Sequence, residues 1–300
     1  MSSSGAPLKL LKNRHFYQQA AWLRENLGQM PAISLFILLT LIVIAISANW
    51  IAPHSPVEGS LRITMRPPAW MEGGNSKYLL GTDRFGRDVL SRLIYGARVS
   101  MSVAFLAIVV TAAIGTLIGL IAGYFGGRVD MVLMRLADIG LSIPGILIAL
   151  ILAVVLGPSF RNVILIVLIV LWPQFARQVR GEALSIKEQD FVILAKSMGV
   201  SSWKIMWRHI FPNVTPSLLV LATLNVGYVV ILEATLALLG VGIPPPNPSW
   251  GVMISEGREY LETAWWVSFF PGIAIGLTVF ALNMTGDWVR DKLDPRLRQI

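Results

Sequence analysis

Six apolar runs divide this chain, at 33–51, 100–124, 137–156, 163–172, 217–240 and 265–288. Several reach the roughly 20 residues that an α-helix needs to cross about 30 Å of hydrocarbon. In lipid a backbone must satisfy its own N–H and C=O groups, so such runs form helices or a closed barrel. Runs of this length select helices. The run at 163–172 is rich enough in Val and Ile to read locally as a strand, and its setting among the others decides for helix. Of the 300 residues 55% are hydrophobic and 14% charged, and the mean hydropathy is +0.66. That is too apolar for a water-soluble domain. The expectation is an all-α polytopic membrane protein with six transmembrane helices.

The segments between the runs set the organisation. Residues 1–30 form a polar leader with Lys9, Lys12, Arg14 and Arg24. The apolar run after it is longer than a signal-peptide core of 7–15 residues, so it reads as an uncleaved first span within a 31–97 unit. Residues 53–97 are polar and rich in Pro and Gly, and they run into the block LGTDRFGRDVLSRLIYGARVS at 80–100, whose charges alternate in sign. By itself that block is a solvated loop and surface helix. The main transmembrane unit is expected at 98–288, with a loop at 177–213 and a soluble basic tail at 289–300. Gly115, Gly119 and Gly123 lie four apart in the second span, where a neighbouring helix can approach closely. Pro144-Gly145 interrupts the third span and predicts a kink. Asn225 and Glu233 in the fifth span and Asn283 in the sixth are polar at depth. These three are candidate path-lining residues, and for Glu233 the cost of an intramembrane carboxylate, about 2.5–3.5 kcal/mol on insertion scales, argues for a place facing protein or water. A paired structural role for Glu233 fits equally well.

Residues 190–213, DFVILAKSMGVSSWKIMWRHIFPN, read as two short amphipathic helices. Phe191, Leu194, Ala195 and Met198 share one helical face, and Trp203, Met206, Trp207 and Ile210 repeat the spacing. Gly199 stands where a helix ends on a left-handed residue. Ser201 or Ser202 is placed to cap the second helix, and Pro212 and Pro216 are expected to stop it. A hairpin of this kind between two spans packs on its own protein, lies in the lipid interface or docks on a partner.

Sixteen of the 25 Lys and Arg residues fall on one side when the N-terminus is placed inside. The positive-inside bias puts both termini and the hairpin in the cytoplasm. The same loops account for the formal net charge of +8, so nucleic acid is not the expected partner. The chain has no cysteine and no Gly-Lys pair, which removes disulfides, thiolate metal sites and a phosphate-cradling P-loop. His15, His54 and His209 are far apart in sequence, and no metal-ligand spacing is present. No catalytic or metal-binding residue is expected.

The hairpin resembles the cytoplasmic loop of ABC importer permeases with its Ala-Ala-x-x-x-Gly core and a later proline. Phe191, Val192, Ala195, Lys196, Gly199, Arg208, His209, Ile210, Pro212 and Asn213 carry the match, while Ile193 and Leu194 replace its Glu and first Ala. The block at 80–100, LLGVGIPPPNPSWG at 238–251 and FPGIAIGLTVFALNMTGDWVRDKLDPRLRQ at 270–299 closely resemble the C-type permeases of bacterial dipeptide, oligopeptide, nickel and opine importers. The resemblance runs from about residue 33 to the C-terminus. It implies a type I importer permease fold in the inner membrane. The implied partners are a homologous B-type permease, two ATPases that bind ATP and Mg, an extracytoplasmic solute-binding protein and membrane lipid. It implies an ATPase coupling loop carried by Phe191, Leu194, Ala195, Met198, Gly199, Trp203, Trp207 and Pro212, in a chain that is itself no enzyme. Di- or oligopeptides are the implied solutes. The alternatives are an ion-coupled secondary transporter, for which neither an inverted repeat nor a set of intramembrane carboxylates is evident, and a channel or assembly factor.

Overall fold

The computed structural model describes residues 31–293. The basic leader at 1–30 and the tail beyond 293 lie outside the described residues. Nine helices of eight residues or more order this part of the chain: α1 Ala32–Ile46, α2 Val89–Phe125, α3 Gly127–Ser142, α4 Gly145–Leu156, α5 Phe160–Ile186, α6 Asp190–Ser197, α7 Ser202–Leu238, α8 Trp250–Gly257 and α9 Trp266–Leu293. Four of them, α2, α5, α7 and α9, are long and apolar enough to cross a membrane. The pair α3–α4 counts as a fifth if read as one broken span. α1 is shorter and resumes after Ser47 as a further turn, Ala48–Ile51. The six runs of the sequence thus correspond to four full helices, one bent pair and one short helix.

Several boundaries move. The basic segment after the second run is not a loop. It is the first two-thirds of α3, and the break at Ile143-Pro144 turns the chain by 91° rather than kinking it. Proline at 144 cannot donate to the α3 ladder, and the residue before it is driven to extended backbone (Ile143 φ −102°, ψ 133°). The expected loop start at 177 falls inside α5, which runs through Pro173 to Ile186. Pro212 and Pro216 do not stop α7. A π turn at Met206–Ile210 precedes them, in which Phe211 N–H reaches back to the Met206 carbonyl. The Asn213 amide donates to the His209 carbonyl at 2.6 Å and the Thr215 hydroxyl to Phe211 O at 2.8 Å. Proline lacks an N–H and so frees backbone carbonyls in the preceding turn, and widened turns and side-chain donors of this kind satisfy carbonyls there.

α2 and α5 form the central pair. A Cβ built on Gly115 would lie 2.5 Å from Phe175 Cβ, on Gly119 2.6 Å from the Ala176 carbonyl oxygen, and on Gly123 2.7 Å from Ala183 Cβ. The glycine stripe is therefore the contact itself, as its spacing predicts. α4 and α7 close the core around this pair, Ala149, Ala153, Val229 and Leu236 meeting Ile166, Val167 and Phe175 of α5. One end of the bundle carries the hairpin, α6 and the start of α7. The other end carries the long 52–88 segment and α8.

That second end is pinned by buried charge. Asp83 is fully enclosed. It accepts from Arg87 Nε at 2.6 Å and Arg92 Nη1 at 2.5 Å, and both arginines also reach Glu256 of α8, at 2.8 and 2.6 Å. Asp83, Arg87 and Arg92 of the 80–100 block are thus satisfied inside the protein, with Glu256, rather than in solvent. Asp88 caps α2 by accepting from Ser91 N at 3.0 Å and faces His54 at 3.3 Å.

Candidate functional site: an exposed apolar hairpin and a polar cleft

The hairpin is made as its residues predict at the turn. Gly199 has φ +76°. Its N–H bonds Lys196 O at 3.0 Å, and Val200 N–H bonds Ala195 O at 3.1 Å. This is the paired 5→2 and 6→1 pattern of a Schellman stop, which needs a left-handed residue. A Cβ at Gly199 meets nothing within 4 Å, so a larger side chain would strain the backbone without crowding the turn. The expected serine cap is absent. Ser201 precedes the second helix without a side-chain bond, and the Ser202 hydroxyl pairs instead with Tyr124 Oη at 3.3 Å.

Both hairpin helices are apolar on two faces. Val192, Ala195, Ile205, Met206 and Ile210 are buried against Leu120, Val179, Ala183, Ile186 and Val214. Phe191, Leu194, Met198, Trp203 and Trp207 are exposed, at 40, 61, 76, 54 and 46%. Of the eight residues expected in this loop, Ala195 therefore faces inward and Pro212 lies exposed on α7. The other apolar side chains form one outward patch. Arg180 holds Asp130 of α3 through two bonds, at 2.7 and 2.6 Å. Lys187 Nζ donates to Gly123 O at 3.0 Å, and the Ser217 hydroxyl donates to Glu182 at 2.8 Å. The patch thus rides on a fixed base.

The three polar residues of the spans separate. Asn225 is mostly buried, donates its amide to Leu221 O at 2.9 Å, and lines a cleft at the α3–α4 break. Asn283 is exposed on α9, with its oxygen beside Gly227. Glu233 is enclosed at 1% exposure, with Ser100 Oγ 3.4 Å from one oxygen. That same hydroxyl accepts from Trp250 N at 3.2 Å. Glu233 thus sits where α7, α2 and α8 meet, away from the cleft. We expect Glu233→Ala to lower the yield and melting temperature of the purified assembly, in keeping with the about 2–5 kcal/mol of large-to-small core changes. Glu233→Gln, which keeps the volume and an acceptor, should retain most of both. Equal yields for the two variants would refute a packing role.

The cleft has a volume of about 530 Å3. Ser142, Ile143, Pro144 and Gly145 form one wall, and Gln174, Asn225 and Tyr228 contribute its other polar groups. Gln174 and Leu141 also line a second cleft toward the hairpin end, with Arg177, Gln178 and Glu182. Arg177 is ion-paired there with Asp138. Sequence reasoning passed over Gln174 because the fourth run was ended at Trp172. The signal available was an amide side chain directly after a proline that the helix tolerates.

Comparison with known proteins places this architecture. Residues 115–299 match the family described as the inner membrane component of binding-protein-dependent transport systems. The dipeptide transport system permease protein DppC of Escherichia coli is 42% identical over 294 residues, 98% of this chain and 96% of that protein. The protein of the same name from Haemophilus influenzae is 38% identical over 99% of this chain and 100% of its own length. The di/tripeptide transport system permease protein DppC of Pseudomonas aeruginosa is 38% identical over 95% and 92%. The chain belongs to this family of inner membrane components: it is a multi-pass permease subunit of an ATP-driven importer, not an enzyme and not an ion-coupled secondary transporter.

Proposed function

We propose that this chain is the C-type permease of a peptide importer and that the 190–210 hairpin is the surface on which an ATPase subunit docks. The outward patch of Phe191, Leu194, Met198, Trp203 and Trp207 carries this reading. Such a cluster marks a contact with a protein or with lipid, and its place on a firmly based hairpin that joins two spans supports a protein partner. Di- and tripeptides are the proposed solutes, because the relatives are named for them. A homologous B-type permease completes the path, two ATPases hold ATP and Mg, and a solute-binding protein delivers from outside. The hairpin, the leader and the tail lie in the cytoplasm. The permease unit spans 98–288, and asparagines 225 and 283 face the path.

Continuity supplies the coupling. Trp203 and Tyr228 stand on one helix, α7, about 35–40 Å apart at 1.5 Å per residue. Displacing the patch displaces α7 and, through the buried Ala195–Val179 cluster, α5. Both helices wall the cleft. Switching the ATPases between open and closed therefore has a rigid route to the path.

The test is the complete complex in vesicles, with ATP hydrolysis and peptide uptake read together. Gly199→Val imposes about 1–2 kcal/mol of left-handed strain and re-aims α6 against α7. Permease pairing and insertion should stay normal, while stimulated hydrolysis or its coupling to uptake falls several-fold. Trp203→Asp should release the ATPases on purification. Full uptake by both variants would sink the docking assignment.

A further inference from the structure

The cleft at the α3–α4 break contains polar groups that the chain itself leaves unused. Neither the Gln174 amide nor the Tyr228 hydroxyl has a hydrogen-bond partner among the described residues. Gln174 is exposed and Tyr228 is 40% exposed. Asn225, which also lines the cleft, commits its amide nitrogen to Leu221 O and leaves its oxygen as an acceptor. Lipid cannot satisfy such groups, so they face water, a partner or a solute. The broken helix adds to them. Irregular backbone at membrane depth is tolerated where it lines a cavity, and paired half-helices at such a break are a recurrent way to build a solute site. Gly145 keeps this wall open: a Cβ there would meet Val170 Cγ1 at 2.9 Å and the Tyr228 hydroxyl at 3.4 Å.

The chemistry of the lining narrows the ligand. None of the cleft's lining residues carries a formal charge. The charged groups begin at the adjoining cleft, where Arg177 is already paired with Asp138. A site for charged termini or charged side chains would offer a counter-ion. A side-chain amide offers both N–H donors and a carbonyl acceptor, and a phenol adds one more donor. That set is complementary to a peptide bond. Neutral bonds are also individually weak, which suits a path that must release what it holds.

We infer that this cleft is a subsite of the translocation path and that it takes the backbone amides of a peptide, irrespective of side chain, through Gln174, Tyr228 and Asn225. The inference rests on the importer reading above and extends it to the recognition step inside the membrane. It makes Gln174 and Tyr228 specificity residues for the peptide bond.

The experiment uses the complete complex in vesicles, with peptides of neutral, acidic and basic side chains loaded to equal occupancy on the binding protein. The double variant Gln174→Leu, Tyr228→Phe should slow uptake of all three peptides by the same factor, roughly tenfold for two lost neutral hydrogen bonds. An analogue methylated at its backbone nitrogen should already be slow in the wild type and should lose little more in the variant, because both changes remove the same bond. Unchanged uptake of the unmodified peptides overturns the inference. So does a loss that depends on peptide charge, which would mean that side chains or termini are read. Loss of the second permease on purification also overturns it, by assigning these groups to the subunit interface. If wild-type vesicles import no peptide at all, the importer reading fails first and the subsite with it.

Discussion

Arg92→Ala is expected to cost about 3–5 kcal/mol, the range for removing one member of a buried ionic group. Arg92 is nearly fully buried, and one of its nitrogens bridges Asp83 at 2.5 Å and Glu256 at 2.6 Å. Without it two carboxylates remain in a closed site with Arg87 as their shared cation. Part of the loss is the uncompensated charge rather than the lost attraction. The damage should be local in origin. Asp83 belongs to the 52–88 segment and Glu256 to α8, and the same region depends on Trp266 Nε1 bonding Thr82 O at 3.2 Å and Trp250 Nε1 bonding Leu93 O at 3.0 Å. Limited proteolysis should therefore cut 52–88 long before α5 or α7, and the melting temperature of the purified assembly should fall by several degrees. A variant as protease-resistant and as heat-stable as the wild type would show that the two ends of this network are held by packing alone.

Gly119→Val should be more severe and should act on the whole bundle. A Cβ at position 119 falls 2.6 Å from a backbone carbonyl of α5 and 2.8 Å from Val179 Cβ. Ordinary overpacking costs about 1–3 kcal/mol when side chains can rotate away. Here the obstacle is backbone, so α5 must move off α2, and the neighbouring contacts at Gly115 and Gly123 go with it. No folded permease should accumulate in the membrane. Gly276→Ala is the matched control. It adds a methyl group to another glycine in a long apolar helix, with nothing within 4 Å, and helix propensity favours alanine. Its folded yield should equal or exceed that of the wild type. Equal yields for Gly119→Val and Gly276→Ala would refute the close α2–α5 approach.

The hairpin marks where local pattern reaches its limit. Its two helices and the left-handed glycine between them are legible, because a 3.6-residue period and a Schellman stop are local properties. The direction of each face is not. Leu194 and Ala195 are adjacent in the chain and both apolar, yet one is 61% exposed and the other 3%. Trp203 and Met206 are spaced to share a face, but only Met206 is sealed in. When two sides of a helix are apolar, period alone cannot choose between them. The choice is made by Leu120, Val179 and Ile186, which arrive from α2 and α5.

The same division holds through the chain. Length and hydropathy of the apolar runs, the spacing of the glycine stripe at 115, 119 and 123, and the turn at Gly199 follow from the residues alone, since each is set by composition, period or bonding along one short stretch of chain. Three features depend on groups far apart in sequence, and the tertiary structure alone decided them. Glu233 is enclosed because Ser100 and α8 come to it. Arg87 and Arg92 are buried with Asp83 because Glu256 completes the group from 164 or more residues away. Gln174, Asn225 and Tyr228 share a cleft because the proline break turns α3 away from α4 by 91°. A periodic pattern records what one helix needs to bury, but the partner that buries it is set by how the helices cross.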